Sequence, residues 1–240
     1  MLENIRIDHI LFLDIETVPT FPDWEKVPER LKPLWEHKSK SFRSEEVSLE
    51  ESWNRAGIYA EFGKVVCISV GFIKGAGSER KYRTKSFFGH DEKELLLEFA
   101  KLLNAHYSAP KSLLCAHNGK EFDFPYIARR MLINGIKIPA ILDTAGKKPW
   151  EVNHLDTMEL WKFGDRKSYT SVSLLTAIFE IPSPKDDIDG SEVGNVYWKE
   201  GDVDRIELYC RKDVLAVAQI LLRFRGEPIL EESELHTIKE

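Results

Sequence analysis

Four carboxylates and one phenol sit where their spacing can do chemistry. Asp14 and Glu16 close an apolar run, His9-Ile10-Leu11-Phe12-Leu13-Asp14-Ile15. On a strand, a spacing of two points both side chains to one face. Two like charges held side by side in a buried setting are costly unless cations neutralise them; on a solvated strand end the same pair means nothing. Asp123 ends the segment His117-Asn118-Gly119-Lys120-Glu121-Phe122-Asp123, between an apolar strand and a helix. There it serves either the chemistry or the free N–H groups of the helix start. Tyr209 and Asp213 are four residues apart on the final helix, so phenol and carboxylate share a face. Both lie one position off the apolar stripe, at the rim of the buried face. The alternative is a surface Asp beside a half-buried Tyr.

The elements that must position these groups are legible. Residues 9–15 read as a buried strand, 64–73 as a second β-branched strand, and Tyr82 to Phe88 as a third. Gly75-Ala76-Gly77-Ser78 turns between the last two, so the three form a meander. Asp91 caps a helix carrying Leu95, Leu96, Phe99, Leu102 and Leu103 at helical spacing. Residues 112–116 form a short strand, and a helix with Ile127, Met131 and Leu132 starts near Asp123. Residues 154–158 are expected as a strand and 171–178 as a short helix. The last long helix starts after Gly201, with a stripe of Val203, Ile206, Cys210, Val214, Val217 and Leu221, and Gly226 with Pro228 ends it. The fold class expected is α/β, a mixed sheet flanked by helices. Residues 19–60, with four prolines and three tryptophans, read as an insertion with one or two short helices, Ser48 and Glu51 forming a capping box for one of them. Residues 227–240 are polar and are expected to fray. A single domain over 1–240 is the expectation.

The chain has 240 residues, a formal charge of −6 and 42% hydrophobic residues. That balance belongs to a folded protein with a sizeable core. The acidic excess excludes wholesale electrostatic coating of nucleic acid. It leaves open an enzyme whose bound cations meet the phosphates. Cys67, Cys115 and Cys210 lie far apart, which excludes a disulfide framework and a Cys-rich zinc site and suits a reducing compartment. The acidic start does not read as a signal peptide, and no apolar run approaches the ~20 residues that span a bilayer. A cytoplasmic protein is expected.

Taken together, the motifs are more specific than any one of them. Leu13-Asp14-Ile15-Glu16-Thr17, then Asn118-Gly119-Lys120-Glu121-Phe122-Asp123-Phe124-Pro125-Tyr126, then Tyr209-Cys210-Arg211-Lys212-Asp213 stand in this order. The chain resembles the four-carboxylate (DEDDy-type) 3′–5′ exonuclease family of the ribonuclease-H-like fold, from about residue 8 to residue 224. The Phe-Asp-x-Pro-Tyr and Tyr-Cys-x-x-Asp forms are most like the exonuclease domain of family-B DNA polymerases, here without room for a polymerase domain. The insertion after the first motif has no clear counterpart there.

The resemblance implies hydrolysis at the 3′ end of single-stranded or frayed DNA with two divalent cations in the site. Oxygen-only ligands favour Mg²⁺ or Mn²⁺ over zinc. It implies that Asp14 bridges both metals, that Glu16 and Asp213 complete one site, and that Asp123 holds the second metal directly or through water. Tyr209 would orient the attacking water, since a phenol with a pKa of ~10 is a poor base at neutral pH. Thr17 and Asn118 would contact the terminal nucleotide; Phe122 either packs beneath Asp123 or stacks on a base. Nucleic acid is the partner expected: single-stranded DNA, or RNA on the same chemistry, with no membrane.

Competing functions are an exoribonuclease, a non-catalytic nucleic-acid-binding module, and a small-molecule phosphoesterase closed by residues 19–60. Basic and aromatic residues interleave at Lys147, Lys148, Trp150, Trp161, Lys162, Arg166, Lys167 and Tyr169, either as a single-strand groove or as surface lysines around core tryptophans. His154 and Asp156 are a metal pair by spacing, or a satisfied histidine beside a structural acid.

Overall fold

A computed structural model of the chain describes residues 2–165, 169–182 and 188–238. Along the chain run β1 (Ile10–Pro19), α1 (Lys32–Ser39), α2 (Leu49–Trp53), β2 (Gly63–Lys74), β3 (Lys81–Phe88), α3 (Glu92–His106), β4 (Leu113–Ala116) and α4 (Asp123–Ile133). Then come β5 (Leu155–Asp156), α5 (Thr157–Lys162), α6 (Val172–Ile178), α7 (Val193–Asn195) leading into a π-turn at Val196–Glu200, α8 (Val203–Phe224) and β6 (Leu235–Thr237). The strands form a six-stranded sheet in the order β5-β4-β1-β2-β3-β6. β1, β2 and β3 make the antiparallel meander, β4 and β5 are parallel additions on the β1 side, and β6 pairs parallel to β3. This is the mixed α/β sheet expected.

The alternation of β1 decides where its carboxylates go. Leu11, Leu13 and Ile15 enter the core that holds Leu96 and Phe99 of α3 and Ile127 of α4. Ile10 and Phe12 face the other way, into the core with Val214, Val217 and Leu221 of α8. Asp14 and Glu16 are in phase with Ile10 and Phe12, so they meet α8 at the end of the strand.

Two expectations need correction. The strand at 154–158 stops after Asp156, because the Asp156 carboxylate accepts the N–H groups of Met158 and Glu159 and starts α5. The described part of the polar tail is not frayed. Leu235 to Thr237 pair with Tyr82 to Thr84, and Arg80 fixes the approach by donating to Glu234 (2.7 Å) and to the Pro228 carbonyl (2.8 Å).

Residues 19–60 hold the two short helices α1 and α2 around an aromatic core of Trp35, Trp53 and Phe62. The capping box is present, with Glu51 N–H donating to Ser48 Oγ and Ser48 N–H to Glu51. Among the described residues, no helix is long and apolar enough to cross a membrane.

Candidate active site

The β1–β2 register breaks just after the first two carboxylates. Glu16 lies opposite Cys67 but Thr17 lies opposite Val65, so Val66 is the extra residue of a bulge. Bulges bend a strand and re-aim side chains, and they gather beside functional clefts. From α8, the Cys210 thiol donates to the Asp14 carbonyl (3.4 Å) and to Asp14 Oδ2 (3.5 Å). Ligand atoms of Asp14, Glu16 and Cys210 all lie within 4.8 Å of one another. The sequence places Cys210 on the apolar stripe of the last helix; it is buried there, and it also touches the first carboxylate.

Asp123 arrives by a tight turn between β4 and α4. Asn118 takes a left-handed backbone (φ 63°), which Asn tolerates better than most residues. A Cβ on Gly119 would lie 2.4 Å from Ala116 Cβ and 3.0 Å from the Phe124 ring, so only glycine lets the turn close. Asp156 holds the turn from beneath, accepting Asn118 N–H (2.9 Å) and Lys120 N–H (3.1 Å) in addition to the two donors of α5. Asp123 does not cap α4. Phe122 occupies the N-cap position, and Asp123 follows it as the first helical residue. Its Oδ1 is buried with no hydrogen-bond partner, and so is the Asn118 Oδ1.

The electrostatics of the cluster are dominated by burial and by like charge. Burial pushes Asp14 well above the ordinary carboxylate range, and the charges of Asp123, Glu16 and Asp213 push it further, against a small opposing effect of the Cys210 hydrogen bond. Glu16, 8% exposed, is raised by burial and then by Asp213, Cys67 and Asp123. Asp123, 3% exposed, is pushed up to about 7, mainly by burial, although backbone N–H groups including that of Ile15 pull it back. No lysine or arginine among the described residues contributes to these shifts. Tyr209 donates a hydrogen bond to Asp213 and is raised by burial and by Asp213, Glu16 and Asp14, so it stays a phenol at any ordinary pH.

Two of the remaining expected residues, Thr17 and Phe122, meet at Tyr126. Thr17 is hydrogen-bonded to Tyr126, whose hydroxyl donates to the Gly57 carbonyl at 2.7 Å. Sequence reasoning did not single out Tyr126, although it stands in the second motif. The Phe122 ring packs on Tyr126, with centroids 5.3 Å apart. His154 is a satisfied core histidine. Its Nδ1 accepts from Leu114 N–H and its Nε2 donates to the Ile141 carbonyl, which leaves no metal pair with Asp156.

The donor set fits a hard divalent cation. The oxygens are carboxylates, one of them buried without a partner, and the charges of Asp123, Glu16 and Asp213 raise Asp14 while those of Asp213 and Asp123 raise Glu16.

Residues 58–233 match the model of a family described as predicted 3′–5′ exonucleases related to the exonuclease domain of PolB. The match covers more than half of the chain, and the chain belongs to that family. It takes in Asp123, Tyr209 and Asp213; Asp14 and Glu16 precede it, and the sheet brings them to the others. Among solved structures, the chain is similar to the family B DNA polymerase from the hyperthermophilic archaeon Pyrobaculum calidifontis, at 16% identity and a TM-score of 0.50. That likeness covers 90% of this chain and 24% of the polymerase, and it carries the ribonuclease-H-like fold.

Proposed function

We propose that the protein is a divalent-cation-dependent 3′–5′ exonuclease acting on single-stranded or frayed DNA, with residues 1–240 working as one unit. The observation that carries this is the closeness of Asp14, Glu16, Asp123 and Asp213, from β1, α4 and α8, whose negative charges together hold Asp14 and Glu16 above the ordinary carboxylate range. Asp14, Glu16 and Asp213 would hold one Mg²⁺ or Mn²⁺, and Asp14 with Asp123 a second. When bound, such a pair supplies activated water and relieves charge at the scissile phosphate.

The chain's own groups do the rest. Tyr209 keeps its proton and holds its hydroxyl at the Asp213 side of the cleft, where it orients the attacking water. Cys210 fixes the rotamer of Asp14 through its thiol. Thr17, held by Tyr126, and Asn118, held by Asp156, face the terminal nucleotide. With the charge of −6, binding along the strand is weak and salt-sensitive.

The test is a time course on a 5′-labelled single-stranded DNA oligonucleotide with Mg²⁺, Mn²⁺ or EDTA, beside Asp14→Ala and a matched RNA strand. A ladder shortening from the 3′ end, metal-dependent and at least about a hundredfold slower in the variant, is the expected result. Intact DNA beside shortened RNA would reassign the substrate. Both strands intact, with the protein folded, would overturn the reading.

A further inference from the structure

The basic and aromatic residues of 147–169 do not form one surface. Trp161 is stacked on Phe224 and edge-on to Phe179, inside a small core. Lys147 lines a cavity with Tyr107, Pro110 and Ser112, where β4 begins, at the end away from the carboxylates. Trp150, next to the same segment, carries Lys148 over its ring. Arg166 and Lys167 lie outside the described residues. Lys162 and Tyr169 remain, and the structure adds Phe163 to them.

These three adjoin groups that meet His117, in the turn that carries Asn118. His117, the residue before Asn118, donates from Nε2 to the Thr170 carbonyl (2.7 Å), which leaves Nδ1 to accept from the Thr157 hydroxyl (2.9 Å). Thr170 is thereby fixed beside the site, with Tyr169 next to it. The Lys162 ammonium is also close enough to disfavour a charge on His117. Phe163 follows Lys162 directly.

Phe163 is 92% exposed and Tyr169 71% exposed. Phe163 also has φ 42° and ψ 36°, the left-handed C-cap of α5. Glycine is the usual residue in such a cap, and a bulky side chain there strains the backbone. Neither packing nor backbone geometry therefore calls for an aromatic ring at this position. Aromatic faces next to a cation, beside a cleft built for a phosphodiester, match the bases and phosphates of an unpaired strand.

We infer that Phe163 and Tyr169, with Lys162 between them and the His117 turn, form a stacking wall for the unpaired bases on the 5′ side of the terminal nucleotide. This rests on the exonuclease reading. The wall contributes strand affinity and takes no part in bond cleavage.

The experiment compares two substrates on the full chain: a single-stranded DNA oligonucleotide and the p-nitrophenyl ester of thymidine 5′-monophosphate, which has no upstream strand. Phe163→Ala and Tyr169→Ala should each raise KM for the oligonucleotide roughly tenfold, with kcat and ester hydrolysis unchanged. Phe163→Trp should restore the oligonucleotide KM. Phe163→Gly should raise the melting temperature by removing the strained conformation while still raising KM, so misfolding cannot account for the loss. An unchanged oligonucleotide KM in active Phe163→Ala and Tyr169→Ala proteins would overturn the wall alone, as would a parallel fall in ester hydrolysis. Wild-type protein inert on both substrates would overturn the exonuclease reading and the wall with it.

Discussion

Two groups of buried acids in this molecule meet opposite fates. Glu92, at the start of α3, accepts from Arg130 Nε (2.8 Å) and Nη2 (2.6 Å), from Val65 N–H (2.7 Å) and from Asn134 (2.9 Å). Arg130 spends its other arm on the Ala60 carbonyl, at the stem of the 19–60 insertion. Every lone pair there has a donor, and the charge has its counter-charge. Glu16 and Asp123 are buried as deeply as Glu92, and Asp14 beside them is half-buried; their donors among the described residues are the Cys210 thiol on Asp14 and backbone N–H groups on Asp123, which keeps one orphan oxygen. A carboxylate that serves the fold is neutralised from within. On the proposed reading, one that serves a cation is left in deficit, and folding would tolerate the cost because the cation completes the site from outside.

The sharpest way to break this comparison is to neutralise one acid in each group. Glu92→Gln strands the Arg130 charge and loosens the insertion stem, and should cost about 3–5 kcal/mol in urea unfolding. Glu16→Gln, measured in EDTA, should instead raise stability by about 1 kcal/mol, since it removes one of several repelling charges. Equal losses in both variants would mean that the cleft acids are as well satisfied as Glu92.

Next in size is the response to cations. Mg²⁺ or Mn²⁺ at a hundredfold excess over its dissociation constant should stabilise the wild type by about 2–3 kcal/mol, and Asp14→Asn by far less. The effect of pH follows from the same deficit. Asp123 ionises near 4 when unfolded but at about 7 when folded, so the native state holds the extra proton between those values. Stability from this group is present at low pH and is lost as pH rises through 7, and the raised Asp14 and Glu16 act with the same sign. Between about pH 8.5 and pH 7.5, above the range near ~6.5 where His117 and His154 take up protons on unfolding and oppose the effect, the EDTA-treated protein should gain stability on acidification. Saturating Mg²⁺ should flatten that slope. A melting temperature independent of pH in EDTA would show that the carboxylates do not repel.

The two groups also differ in how far the sequence exposes them. Asp14, Glu16, Asp123, Tyr209 and Asp213 each adjoin a strong local signal: an apolar run, a turn with glycine, a long amphipathic helix. Their convergence could be anticipated because those elements have few ways to pack. Glu92 and Arg130, by contrast, look like ordinary charges on helix surfaces, and their pairing depends on how α3 crosses α4. The Cys210 thiol reaches an Asp14 that lies 196 positions earlier, and no spacing rule reports such a contact. β6 is a short polar stretch that becomes a strand only because β3 offers it an edge and Arg80 holds Glu234. Asp123 looked like a cap in isolation because the preference of Asp for N-caps is local, whereas its position as the first helical residue is set by the turn at Asn118 and Gly119.

The smallest expected effect separates the insertion's stem from its body. The stem is tied to α4, which carries Asp123, through Gly57, which accepts from Tyr126, and through Ala60, which accepts from Arg130. The Ser48–Glu51 capping box lies on the exposed end of α2, satisfying N–H groups of that helix and nothing in the cleft. Ser48→Ala should therefore cost about 1 kcal/mol, a drop of about 2–4 °C in melting temperature, with kcat and KM on the oligonucleotide unchanged. A shift in KM from this variant would show that order in α2 is felt at the cleft. The insertion body would then act on substrate entry, and the division between a stem coupled to the site and a body independent of it would fail.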